Sequence, residues 1–254
     1  MRHFLPSKKI FRSHVSTCWA LLLITCISTV SCEKIPLSNG ETVTITRPVS
    51  GNFTGIYLHD DVNLVITQGN QYSIAVEGGE KILPNIETSI NDSTLTIRNN
   101  NKLNWLRSYD KELTVYVTLP HLLELNYEAT GTVTNNDTIR EDSLSVTSRG
   151  GSGYIDMIIK TGTAKLSITD GSVDMKISGK TGVNYAYSGA YGLYDCRDLV
   201  SDFIFIRTSS TNDCYINVNF HLEYEISGLG NIYYRGNPAE NSGTATSGGK
   251  LIKF

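Results

Sequence analysis

The sequence predicts an all-β protein built as a β-solenoid, in which short strands stack in coils of about 20 residues. Apolar and polar residues alternate in short runs, as they do in strands with one buried side. Clusters of Gly, Ser, Asn and Asp separate these runs, and from residue 120 the chain repeats itself. An antiparallel sandwich also has strands and turns that recur about every 8–12 residues. The longer repeat favours the solenoid.

Short strands are predicted ahead of the repeats, and ELTVYVTL shows their alternation most clearly. These segments are residues 56–58, 63–66, 72–76, 94–97 and 112–119. The best helical candidate is EKILPNI (80–86), and Pro84 limits it to a turn or two.

A unit of two short strands and a Gly/Ser-rich corner recurs after residue 120. The apolar residues that follow successive corners are Val133, Ile155, Val173, Tyr194, Cys214 and Ile232. They are 22, 18, 21, 20 and 18 residues apart. One coil cannot bury its apolar side alone, so we expect these side chains to point into a core shared by stacked coils.

The N-terminus has the layout of a secretory signal peptide over residues 1–31. A basic stretch precedes an apolar run, VSTCWALLLITCI, that is shorter than the roughly 20 residues of a spanning helix. The run ends at Cys32, so the segment resembles a bacterial lipoprotein leader, in which the cysteine becomes the lipidated first residue. Thr29 stands where that leader usually has Leu. Lipidation at Cys26 and an ordinary signal peptide with an incidental cysteine remain alternatives.

The leader predicts an exported outer-membrane lipoprotein that faces the periplasm or the cell surface. Its lipid would bind the membrane, and residues 32–52, which are polar and contain two prolines, would form the lipidated cysteine and a tether. The chain has a net charge of −3, and without residues 1–31 it has 18 basic and 25 acidic residues, a charge of −7. A nucleic-acid partner is not expected, because phosphate binding needs a basic surface.

The sequence predicts no catalytic residues, no cofactor and no metal site. It lacks the motifs of nucleotide-binding loops and serine hydrolases. His59, His121 and His221 are far apart in the chain and fit no zinc spacing. Acids recur near the corners, at Asp156, Asp174, Asp195 and Asp213, with spacings of 18, 21 and 18 residues. If they stacked they could hold calcium, but separate solvated acids are the favoured interpretation.

Tyrosines are the candidate residues for binding a ligand. They cluster at Tyr185, Tyr187 and Tyr191, and again at Tyr233 and Tyr234. Exposed tyrosines suit recognition of a glycan or a protein, although aromatic residues more often simply cover one side of a solenoid.

Cys196 and Cys214 would remain after leader removal and lipidation at Cys32. If the two Asp-Cys pairs stack, the cysteines are close enough for a disulfide. If the coils align by their Gly corners, the cysteines are offset by two residues and stay free. The sequence leaves both alternatives open.

Residues 53–254 resemble the putative auto-transporter adhesin, head GIN domain family of Bacteroidetes-type bacteria. The opening carries Phe53 with Ile56, the run VITQG (65–69) and Leu95 with Ile97, and ELTVYVTLP fits the strand that follows. The closing GLGNIYYRGNP and SGGKLIKF fit the end of the family pattern.

The resemblance implies a right-handed parallel β-helix, with a β-rich part at 53–119 and repetitive coils at 120–254. It implies a non-enzymatic protein of the cell envelope that acts in adhesion or surface interaction and binds an unidentified glycan or protein. A carbohydrate-binding or carbohydrate-processing envelope protein is the alternative.

Overall fold

A computed structural model describes residues 38–102 and 112–254, so Cys32 and the leader lie outside the described residues. The described chain is almost entirely β-structure, with one 3-10 turn at Leu83–Asn85, where Pro84 was expected to limit a helix. The strands are β1 Thr42–Arg47, β2 Gly55–Asp60, β3 Asn63–Gln68, β4 Ser73–Gly79, β5 Ile86–Asn91, β6 Thr94–Asn99, β7 Thr114–Leu119, β8 Glu124–Ala129, β9 Thr132–Asn135, β10 Ile139–Arg149, β11 Tyr154–Asp170, β12 Asp174–Ser188, β13 Tyr194–Thr208, β14 Cys214–Ile226, β15 Ile232–Arg235, β16 Glu240–Ala245 and β17 Leu251–Lys253.

Most strands stack in parallel, one coil on the next, and the prediction of a β-solenoid is confirmed. The exceptions are β1, β4 and β5, which pair antiparallel with their neighbours. Strand β8 pairs with β2 and β10, β9 pairs with β3 and β11, and the parallel order continues from β11 to β14. Strands β15, β16 and β17 add the last coils in the same sense. The stack has about six turns of about 20 residues.

Each long strand bends near its middle, so that its two halves lie on different sides of the coil. In β11 the buried side chains occupy odd positions up to Thr161 and even positions from Ala164. The same change occurs in β12 between Thr181 and Asn184. Alternate residues of a straight strand point to one side, so a change of parity marks a bend.

The bend defines two faces of the solenoid. The first face contains β2, β8, the C-terminal halves of β10 to β14, and β16. The second face contains β3, β9, the N-terminal halves of β11 to β14, β15 and β17. Glycine is required where the corners pack tightly. Gly151 has a φ of +84°, and a Cβ there would lie 2.1 Å from the Ala129 carbonyl oxygen of the adjacent coil.

One predicted coil position, that of Val173, is wrong. The residues that point inward on the second face show this. Ile155 lies opposite Val133 and Met175, whereas Val173 belongs to the corner before β12. The corner between β10 and β11 spans residues 150–153 and the next spans only 171–173, so counting from the glycines shifts the register. Val173 is nevertheless fully buried, as predicted.

The predicted division of the N-terminal part also changes. The tether was expected to run through residue 52, but Thr42–Arg47 forms β1, which pairs antiparallel with β4. The alternation in TVTIT fits an edge strand, and Val43 packs partly against the core. The coils were expected from residue 120, but β2 and β3 already stack in parallel on β8 and β9. The solenoid therefore begins at residue 55.

His59 is a buried polar group near the end of β2, with a partner on each ring nitrogen. Its Nδ1 lies 3.4 Å from Glu128 Oε2, and Arg98 Nη2 lies 3.3 Å from its Nε2. A neutral ring that donates from Nδ1 and accepts at Nε2 satisfies both contacts. Burial, and secondarily the Arg98 guanidinium, lower the pKa of His59.

Acidification is expected to destabilise the protein through His59. The unfolded chain binds a proton near the ordinary histidine pKa of 6.5, whereas the folded chain resists protonation. This stability is present above pH 6.5 and is lost as the pH falls below that value toward the folded pKa. We expect His59→Gln to reduce the difference between urea midpoints measured on either side of pH 6.5. His121→Gln, which removes an exposed histidine, is the control, and equal pH dependence in both variants would contradict the assignment.

No helix among the described residues, 38–102 and 112–254, is long and apolar enough to cross a membrane.

Candidate functional site

An exposed cluster of aromatic rings lies on the first face. We call it the aromatic face, and it consists of Tyr185, Tyr187, Phe203, Phe205 and Phe220. The exposed fractions are 47% for Tyr185, 38% for Tyr187, 43% for Phe203 and 57% for Phe220. Contiguous exposed apolar surface of this kind commonly marks an interaction site.

Strand alternation places these rings outside. In the run FIFI of β13, Phe203 and Phe205 point outward while Ile204 and Ile206 are buried. The parallel register then sets Tyr185 beside Phe205 and Tyr187 beside Arg207. The rings therefore lie on adjacent coils, about 4.8 Å apart.

The rings contact one another along the solenoid axis. Tyr185 and Phe205 are stacked, with centroids 5.3 Å apart and planes 18° apart. The other side of Phe205 faces the His221 ring at 5.7 Å, and Phe203 contacts Phe220 at 6.1 Å. The ring of Phe205 thus lies between two neighbours and turns its edge to solvent.

Charged side chains border the rings, and a groove of about 810 Å³ crosses this part of the first face. Lys165 of β11 lies beside Tyr185 on one side, and Glu223 of β14 lies beside Phe205 on the other. Arg207 and Glu225 form an exposed ion pair of 3.1 Å within the groove. The groove combines apolar rings with both signs of charge.

The predicted tyrosines do not all lie on one surface. Tyr185 and Tyr187 belong to the aromatic face, whereas Tyr191 lies in the corner after β12 with 70% of its surface exposed. Tyr233 and Tyr234 are in β15 on the second face, and Tyr234 packs against the core. The sequence reasoning missed Phe203, Phe205 and Phe220. The alternation in FIFI was the available signal for two of them.

The second face has its own aromatic cluster, closed by arginines. Tyr215 and Tyr233 stack at 5.1 Å, and Phe254 packs edge-on against both. The guanidinium of Arg197 lies 4.0 Å above the Tyr215 ring, and Arg235 lies 5.0 Å from the Phe254 ring. These contacts cover the ring faces, so this cluster stabilises the last coils.

Two of the four recurring acids, Asp156 and Asp195, alternate with a basic group instead of stacking. The other two, Asp174 and Asp213, accept backbone hydrogen bonds at the corners. Asp156 lies opposite Lys176, and Lys176 lies opposite Asp195 on the next coil. Lys176 Nζ is 3.4 Å from Asp156, and Arg197 Nε is 2.7 Å from Asp195. Within the described ranges no group of three His, Cys, Asp or Glu residues is placed to hold a metal ion.

Cys196 and Cys214 are buried and unbridged in the structure. Cys214 lies opposite Tyr194, so the two cysteines are offset by two residues, as the Gly-corner alignment predicted. Burial raises the pKa of Cys196 to about 12 and that of Cys214 to about 11. Both thiols are therefore poor nucleophiles in the folded protein.

Alkylation is expected to distinguish the two cysteine arrangements. In the unreduced mature protein, iodoacetamide should modify neither Cys196 nor Cys214 in the native state and both after denaturation. Mass spectrometry counts the adducts. A denatured, unreduced protein with no alkylated thiol would contradict the offset register.

The sequence matches one protein family along most of its length. The family model described as putative auto-transporter adhesin, head GIN domain, matches residues 52–238. The chain belongs to this family. The match begins just before β2, where the solenoid begins, and ends before β16 and β17. The resemblance predicted from the sequence is confirmed.

Solved structures share the fold. A crystal structure described as a putative adhesin from Bacteroides fragilis has a TM-score of 0.78, at 18% identity over 86% of this chain and 100% of that chain. A putative adhesin from Parabacteroides distasonis has a TM-score of 0.66, at 14% identity over 86% and 99% of the two chains. A putative lipid binding protein from the same species has a TM-score of 0.64, at 16% identity over 86% and 99%. No curated protein matches the chain.

Proposed function

We propose that this head GIN domain protein is a non-enzymatic, lipid-anchored adhesin of the cell envelope that binds its partner through the aromatic face. The observation that carries the proposal is the exposure of the rings. Tyr185, Phe203 and Phe220 each keep more than two fifths of their surface in solvent, at 47%, 43% and 57%. Aromatic residues are enriched at protein interfaces, where burying them supplies much of the binding energy.

The leader supports a lipid anchor at Cys32. Its basic start, short apolar run and terminal cysteine are what lipidation of an exported protein requires, and β1 begins only ten residues later, at Thr42. The short connection would hold the solenoid close to the outer membrane.

Ring orientation supports a protein partner over a glycan. A sugar ring stacks on the open flat side of an aromatic ring, but Phe205 lies between Tyr185 and His221. The outward edges and the mixed charges of Lys165 and Glu223 suit the side chains of a protein surface.

An adhesion assay with matched variants tests the proposal. Cells expressing the full-length protein with Tyr185→Ser and Phe203→Ser should adhere about tenfold less than wild type, because two interface rings are removed. Ile158→Ser with Leu229→Ser, which removes two exposed apolar side chains outside the aromatic face, is the control and should adhere normally. Equal adhesion by the aromatic-face variant and wild type would refute the site. Binding to a glycan array that depends on Tyr185 and Phe203 would favour the carbohydrate-binding alternative.

A further inference from the structure

We propose that the partner bound by the aromatic face is a second copy of this chain, packed face to face about a two-fold axis between β12 and β13. The inference rests on the proposed function and names its partner. It comes from the order of charges and rings across adjacent strands. When one copy is turned round, the order on its strands is complementary to the order on the other copy.

The central column of outward side chains carries this order. Lys165, Tyr185, Phe205 and Glu223 occupy matching positions on β11, β12, β13 and β14. The column thus has a positive group at one end, two rings in the middle and a negative group at the other end. Reversing one copy places Lys165 against Glu223 of the other copy and Tyr185 against Phe205.

The neighbouring columns fit the same reversal. One contains Ser167, Tyr187, Arg207 and Glu225, so reversal sets Tyr187 against Arg207 of the other copy, a cation–π pair. The other contains Thr163, Val183, Phe203 and His221, so reversal sets Val183 against Phe203.

Charge also selects the direction of the two-fold axis. An axis parallel to the strands reverses the order of the coils and pairs Lys165 with Glu223. An axis along the solenoid keeps the order of the coils, so that β11 of one copy meets β11 of the other and β14 meets β14. Like charges would then meet, which disfavours that arrangement. The charges therefore specify an isologous contact of one orientation.

The charged side chains at the two ends of the central column are available for such a contact. Lys165 and Glu223 are exposed, and neither forms an ion pair with another residue in the ranges 38–102 and 112–254. Each lies about 7 Å from the axis, at one and a half strand spacings. Packed β-sheets cross at about 30°, which displaces these groups by roughly 4 Å, within the reach of a lysine side chain.

The size of the surface predicts weak association. Four strands and three columns cover a patch of about 20 Å by 20 Å on each copy. The area that such a contact buries is below that of a standard stable interface. We therefore expect a micromolar contact between single molecules, strengthened when many anchored copies on two cell surfaces engage together.

Zero-length cross-linking tests the contact in the full-length protein. Within one chain Lys165 and Glu223 are separated by three strand spacings, about 14 Å, so a carbodiimide cannot join them. Light and ¹⁵N-labelled full-length protein are mixed in detergent and cross-linked. We expect peptides that join Lys165 of one isotope to Glu223 of the other. A protein that sediments as a monomer at 100 μM (about tenfold above a Kd near 10 μM) and yields no such peptide would overturn the proposal.

Charge exchange tests it on cells. Lys165→Glu alone and Glu223→Lys alone should each lower cell–cell adhesion about tenfold, because two attractive pairs become repulsive. Mixing cells that carry the two different variants should restore adhesion. The glutamate introduced at 165 on one cell then meets the lysine introduced at 223 on the other, and the unchanged Glu223 meets the unchanged Lys165. Lys160→Glu and Asp142→Lys, at exposed positions outside the aromatic face, are the controls.

The two proposals fail in different ways. If the variant with Tyr185→Ser and Phe203→Ser adheres normally, the aromatic face is not the site and the proposed function fails. If that variant loses adhesion but mixing the charge variants does not restore it, the site stands and the second copy is overturned.

Discussion

Replacing Ile155 or Val173 by aspartate is expected to destabilise the folded protein by several kcal/mol, on the order of 3 or more. Both side chains are completely buried in the shared core of the coils. An aspartate there would be desolvated without a cationic partner, and it would also leave the volume of the apolar side chain unfilled. Urea denaturation followed by circular dichroism measures the loss.

Ile158→Asp is the matched control. Ile158 lies on β11 only three residues from Ile155, but it points outward and has 43% of its surface exposed. We expect it to change the free energy of unfolding by less than about 1 kcal/mol. If Ile155→Asp and Val173→Asp unfold at the same urea concentration as wild type, the assignment of these two side chains to the core is wrong.

Replacing Cys32 by alanine is expected to move the protein from the membrane fraction to the soluble fraction. Each buried acyl CH₂ contributes about 0.8 kcal/mol to membrane binding, so loss of the lipid removes the anchor. Fractionation of cells and immunoblotting measure the distribution. Cys26→Ala is the control and should remain in the membrane. Retention of Cys32→Ala with release of Cys26→Ala would assign lipidation to the earlier cysteine, and retention of both would exclude a lipid anchor at either.

The solenoid could be predicted because each coil repeats the same physical requirement. An apolar residue must follow each corner to fill the shared core, and Val133, Ile155, Tyr194, Cys214 and Ile232 fulfil it in one column. The position of Val173 could not be predicted. Corner length varies from three residues at 171–173 to five at 189–193, and a glycine marks a corner without fixing its end.

The members of the aromatic face were harder to predict because the strands bend. Tyr185 lies after the bend of β12, whereas Tyr233 is aligned with the part of β14 that precedes its bend. The two tyrosines therefore lie on different faces of the solenoid. Alternation counted through a whole strand fails where the parity changes between Thr161 and Ala164. The antiparallel pairing of β1 with β4 was missed for a different reason, since a short polar strand resembles a tether in composition.

The central claim is that the aromatic face contacts another surface on the living cell. A cysteine introduced by Phe220→Cys reports this directly, because Cys196 and Cys214 are buried and Cys32 would be lipidated. Intact cells are treated with a membrane-impermeant maleimide, either dispersed or after they have adhered. Ile158→Cys on the second face is the control.

We expect the cysteine at 220 to be labelled on dispersed cells and protected several-fold in adherent ones, while the cysteine at 158 is labelled equally in both. Labelling at 220 only after cell lysis would place the face away from the cell exterior. Equal labelling of dispersed and adherent cells at 220 would show that the aromatic face does not form the adhesive contact. Either result would contradict the adhesive role of this face.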